Sequence, residues 1–143
     1  MRTIEHDGSR YLLVKRAAES SLVRDPETGR QFHLPNEDIE PAEMSPLVAA
    51  ASAVSVPDDG PLATVRSPRA LGVLLELDAR GPLSVYELLG SYELCESDLH
   101  GLFGELRAAG LVAPADVDGR RGYALTQTAS DAIGDVGVQN ADG

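Results

Sequence analysis

Between residues 67 and 134 the start and stop signals of successive elements follow one another so closely that the order of elements is nearly forced. Ser67-Pro68 pairs an N-cap residue with proline at the first helical position, and Leu71, Leu74, Leu75 and Leu77 continue a helical stripe until Gly81-Pro82 stops it. Ser84 and Glu87 then have the spacing of a capping box, which opens a short helix ending near Gly90-Ser91. A third helix is expected from Glu96 to Ala109. Its Leu99, Leu102, Phe103 and Leu106 fall at i, i+3, i+4 and i+7, the spacing of a core-facing stripe, and Gly110 supplies the stop. Leu111–Val117 and Tyr123–Leu125 read as strands joined by Asp118–Gly122, and Thr126 caps a last helix running through Ile133.

The first half reads differently. Ser9–Leu34 has strand character: Arg10–Arg16 has an apolar centre, and Ser21–Arg24 faces Gln31–Leu34 across Asp25-Pro26-Glu27-Thr28-Gly29. Proline sets φ early in that turn and glycine accepts a positive φ at its end, so a hairpin is expected. Three antiparallel strands need an apolar cover. Ser45-Pro46 opens a short helix over Leu47–Val54, ended by Pro57–Pro61, which is placed either to cover the sheet or to form a dimer contact. The expected class is α+β: an antiparallel β module at 1–40, a connecting helix and linker at 41–66, a helical domain with a hairpin at 67–134, and a disordered tail at 135–143.

Charge and composition limit what such a chain does. The 143 residues suffice for one ordinary domain or two small ones. There are 23 acidic against 12 basic residues, and Lys15 is the only lysine. An acidic, lysine-poor, alanine-rich chain resembles proteins of halophilic archaea, whose carboxylates hold water when salt screens longer-range charge effects. No apolar stretch approaches the ~20 residues that span a bilayer, and Met1–Asp7 does not read as a signal peptide, so a cytoplasmic protein without membrane contact is expected. The single cysteine, Cys95, excludes an internal disulfide.

The run Ser84-Val85-Tyr86-Glu87-Leu88-Leu89, the segment Leu99–Val112 and the ending Tyr123-Ala124-Leu125-Thr126 together resemble the winged helix-turn-helix regulators of the MarR and ArsR families. The resemblance covers Ser67 to Gly134, about half the chain. It implies a C-terminal winged helix-turn-helix whose third helix enters the major groove of double-stranded DNA while the hairpin wing lies on the flanking backbone. The positions opposite the core stripe are Glu96, Ser97, His100, Gly101, Gly104 and Arg107. The resemblance makes Ser97, His100 and Arg107 the base-reading set and Arg120 and Arg121 the backbone set, with Arg66 and Arg69 as further cations, in a transcriptional regulator acting as a homodimer.

The charge of the same half opposes this. Residues 41–143 hold six arginines and fifteen carboxylates, whereas DNA-binding domains are ordinarily basic. Two readings follow: a halophilic regulator that keeps a few arginines on its DNA face, or an adaptor of the same fold that docks a protein partner. Cys95, at the edge of the third helix, reads as a small, partly buried turn residue or as a redox sensor, and no second cysteine is present to resolve an oxidised thiol. His6, His33 and His100 are scattered, and Cys95 with His100 offers only two metal ligands. With no phosphate loop, nucleophile elbow or framed pair of carboxylates, neither enzyme activity nor a cofactor is expected.

Overall fold

The computed structural model describes residues 1–56, 60–65, 67–92 and 94–134, together with the backbone of 137–138. The expectations for Arg66, for the helix stop at Pro57–Asp59 and for most of the tail lie outside those residues. Among the described residues the class is α+β, with five α-helices and antiparallel strands in both halves of the chain.

The sheet of the first half has five strands where the sequence suggests three. β1 (Arg2–His6) and β2 (Ser9–Arg16) form a hairpin across Asp7-Gly8, both with positive φ, 51° and 78°. That dipeptide is the preferred two-residue hairpin turn. The sequence reading starts its strands at Ser9 and so passes over this turn. β3 (Ser20–Arg24) and β4 (Gln31–Pro35) form the expected hairpin, in which the Gly29 N–H donates to the Asp25 carbonyl at 2.8 Å. After a 3-10 turn at Asn36–Asp38, β5 (Glu40–Pro41) returns to pair with β1, giving the order β4-β3-β2-β1-β5. Ile4, Val23 and Leu34 form a small core of their own, flanked by Tyr11, Leu13, Phe32 and Ile39.

α1 (Pro46–Ser52) begins as expected, with the Ser45 hydroxyl accepting from the Leu47 N–H. It packs within the chain, against β1, β2 and above all α2 (Pro68–Arg80). Leu47 and Ala49–Ala51 are buried there, so this apolar face is used inside the molecule. The two helices meet at Gly72, where even a single added carbon would lie 2.0 Å from the Leu47 carbonyl oxygen.

β6 (Val54–Ser55) is followed by a 3-10 turn at Pro61–Thr64 that places Leu62 in the main core. β7 (Leu83–Ser84) leads directly into α3 (Val85–Tyr92), and α4 (Glu96–Ala108) buries the expected Leu99, Leu102, Phe103 and Leu106. Gly110, at φ 76°, ends α4. β8 (Val112–Val117) and β9 (Arg120–Leu125) form a hairpin joined to β7 in the order β7-β9-β8, so antiparallel sheet is not confined to the N-terminal module. Phe103 stacks on Tyr123 at 4.1 Å and locks α4 onto this sheet. Thr126 caps α5 (Gln127–Gly134) by accepting from the Ala129 N–H. β10 (Gly137–Val138), within the tail read as disordered, pairs with β6. No helix among the described residues is long and apolar enough to cross a membrane.

A polar chain runs through the buried junction of sheet and helices. Arg24 of β3 forms an ion pair with Glu76 of α2, with side-chain exposures of 6% and 2%. Glu76 also accepts from the Tyr92 hydroxyl at 2.6 Å, and Arg80 donates both to that hydroxyl at 2.8 Å and to Glu87 at 3.1 Å. Burial, followed by the adjoining Glu76 carboxylate, pushes the Tyr92 phenol up, so it remains a neutral donor. Burial alone would lower the Arg80 guanidinium, but its bonds to Tyr92 and Glu87 outweigh this and raise it.

Glu87 departs from the capping box. The Ser84 hydroxyl accepts from the Glu87 N–H, but the Glu87 carboxylate bonds Ser91 and Arg80. Those two contacts, Ser91 first, hold it below the usual glutamate value of 4.5. A carboxyl that titrates lower when folded favours the fold above its ordinary value and loses that contribution as pH falls through the folded one. The urea midpoint is therefore expected to start falling as the pH drops below 4.5, and Glu87→Gln to make that descent shallower. An unchanged descent in the variant would remove Glu87 from the acid response.

Candidate nucleic-acid interface

Successive helix residues are 100° apart, so the burial of Leu99, Leu102, Phe103 and Leu106 determines which side of α4 faces outward. Ser97, Gly101, Gly104 and Ala108 form the outermost strip, and all four are exposed. A side chain added at Gly101 or Gly104 would enter open space, so neither glycine serves packing within the chain. Glu96, His100 and Arg107 lie on one flank of this strip, Asp98 and Glu105 on the other. The outer surface of α4 is thus uncharged and small, and another surface can approach its backbone closely.

Arg69 differs from the expectation of a free cation. It is half-buried and bonded to Asp98 at 3.4 Å. The Cys95 thiol and backbone N–H, with Arg69 adding to them, hold the Asp98 carboxyl below its ordinary value. Cys95 is the N-cap of α4 and is exposed where a partly buried position was expected, because the cap precedes the first turn and leaves its sulfur outside, 3.2 Å from the Ser97 hydroxyl. Among the described residues, no three His, Cys, Asp or Glu side chains gather as a metal site.

The hairpin turn is tighter than the sequence suggests. Only Asp118-Gly119, with φ of 52° and 78°, makes the turn, and the Asp116 carboxylate accepts from the Gly119 N–H at 2.8 Å. Arg120 and Arg121 are strand residues, paired with Val117 and Asp116. Consecutive strand residues point to opposite faces, so the two arginines project from opposite sides of the hairpin. The sequence reading treats Asp118–Gly122 as loop because its two glycines look like punctuation. Gly122 instead lies in the ladder, where an added carbon would meet the Leu83 carbonyl oxygen at 2.4 Å.

Of the arginines described after residue 41, Arg69 and Arg80 are engaged by carboxylates. Arg107, Arg120 and Arg121 are exposed and make no ion pair among the described residues. Sequence reasoning overlooked Tyr86, which is 70% exposed and lies under the Arg120 guanidinium. The signal was available, since the Ser84 cap places Tyr86 in the first turn of α3.

Fold and surface together define an α+β protein whose C-terminal half exposes the outer side of one helix and an arginine-bearing hairpin. The model of a family of unknown function (DUF7346) matches residues 1–136, through both halves, and the chain belongs to that family. No curated protein and no solved structure matches it.

Proposed function

We propose that this protein is a sequence-specific DNA-binding transcriptional regulator of winged helix-turn-helix type, with α4 as the reading helix and the β8-β9 hairpin as the wing. The observation that carries the reading is that the three described arginines of this half that form no ion pair among the described residues, Arg107, Arg120 and Arg121, lie on that helix and that hairpin. Ser97 and His100, exposed on α4, join Arg107 as base-reading candidates, and the small outer strip lets the helix backbone seat deeply in a major groove. Arg69 is assigned to holding the start of α4 through Asp98. The acidic excess belongs to a cytoplasmic protein of a salt-rich cell, and a homodimer doubles a cationic patch that is small in one copy.

Arg120→Ala combined with Arg121→Ala is expected to weaken binding about 10- to 100-fold, nearly equally on all sequences, and to lower the slope of log affinity against log potassium chloride by about two. Unchanged affinity and slope would remove the wing from the mechanism. A second reading, a protein-docking adaptor, is favoured by one observation: Glu96 and Glu105 are exposed on α4 close to its outer strip. It predicts no duplex binding at any salt concentration at which the chain is folded.

A further inference from the structure

Tyr86 is the one large hydrophobic side chain that is exposed among the described residues. No core packing accounts for its position. The Arg120 guanidinium carbon lies 4.7 Å from the centre of its ring, and the Tyr86 hydroxyl has no hydrogen-bond partner among the described residues. Backbone pairing sets up this contact. β7 pairs Leu83 with Tyr123 and Ser84 with Gly122, so the chain enters α3 with Tyr86 running alongside Arg120. A guanidinium resting on an aromatic face has lost much of its rotamer freedom, yet its in-plane N–H groups still point outward for two-pronged bonding to an oxyanion. Of the carboxylates around this junction, Glu87 is engaged by Arg80 and Ser91 and Asp116 by the Gly119 N–H, while Asp118 stands exposed in the turn and forms no ion pair with Arg120.

We propose that Tyr86 and Arg120 form a phosphodiester-binding site at the junction of α3 and the hairpin, the phenol and the guanidinium together holding one backbone phosphate of duplex DNA. The inference rests on the DNA-binding reading and extends it to a residue and an element outside the reading helix. Duplex DNA fits better than a flat acidic surface, because Arg120 and Arg121 project from opposite sides of the hairpin and a groove offers phosphates on both of its walls. Tyr86 contributes twice. Its ring orients Arg120, and its hydroxyl adds a neutral hydrogen bond.

The two contributions separate experimentally in titrations of the full chain with a fluorescent duplex of mixed sequence, about three helical turns long, over a series of potassium chloride concentrations. Tyr86→Phe keeps the ring and is expected to weaken binding about threefold with the salt slope unchanged. Tyr86→Ala is expected to cost about tenfold. Arg120→Ala is expected to cost about tenfold and to lower the slope by about one. The Tyr86→Ala/Arg120→Ala double variant should lose less than the product of the single losses, since the ring acts through the arginine. Because Tyr86 is exposed, its variants should melt with the parent. Wild-type affinity and slope in Tyr86→Ala, with the parent binding the duplex, would overturn this site and leave the DNA-binding reading standing. Failure of the folded parent to bind the duplex at every salt concentration would overturn both.

Discussion

Replacing Gly72 with alanine is expected to destabilise the protein by about 3 kcal/mol, at the upper end of overpacking costs, and to lower its melting point by about 10 °C. The added methyl would lie 2.0 Å from the Leu47 carbonyl oxygen and 2.7 Å from the Leu47 Cα, and these are backbone atoms that cannot rotate away. Relief requires lifting α1 from α2. That movement disturbs Leu47 and Ala49–Ala51, all buried, and so reaches the main core. Equilibrium denaturation in molar potassium chloride would check this. A loss below about 0.5 kcal/mol, the range of a neutral surface change, would mean that the helices do not meet at Gly72.

Glu76→Ala should cost about 3–5 kcal/mol, as much as truncating a fully buried aromatic side chain. Glu76 accepts from Arg24 and from Tyr92, so its loss leaves a guanidinium at 6% exposure without its counterion and a buried phenol with one fewer partner. Removing both charges is a different change. Arg24→Met combined with Glu76→Met fills the same volume without a stranded charge, and is expected to recover most of the stability lost in Glu76→Ala. If the double variant is as unstable as the sum of its single changes, the pair is not coupled as described.

These two sites also show what the sequence made legible and what it did not. The elements of the second half could be read because each boundary has a local chemical cause: Ser67 caps α2, Ser84 caps α3, and Thr126 caps α5 through direct side-chain bonds. The stripe Leu99, Leu102, Phe103 and Leu106 was legible because one helix face alone determines its burial. The missed features depend on contacts between distant residues. β5 is two residues long and exists only because β1 offers it an edge, across a separation no local pattern spans. The Arg24–Glu76 pair joins residues 52 positions apart. One trace of it was visible, a carboxylate at position 76 between Val73, Leu74 and Leu77 on the inward side of α2, where a charge requires a partner.

The candidate interface divides in the same way. The outward side of α4 follows from periodicity, so the exposure of Ser97, His100 and Arg107 was predictable. Whether an arginine is engaged was not, because Arg69 is taken up by Asp98 on another helix, 29 positions away. Tyr86 was overlooked because an aromatic in an amphipathic segment is ordinarily core; the Ser84 cap placed it in the first turn of α3, but its position beside Arg120 depends on the pairing of β7 with β9.

The DNA-binding claim is tested most directly by selecting genomic fragments with the folded 143-residue chain in molar potassium chloride, where nonspecific phosphate attraction is suppressed. Enrichment of one sequence, as an inverted repeat with half-sites about one helical turn apart, is the predicted result and would establish a dimeric regulator. Absence of any enriched sequence, with the protein shown to be folded under the same conditions, would contradict the account and leave α4 and the hairpin as a surface for docking a protein.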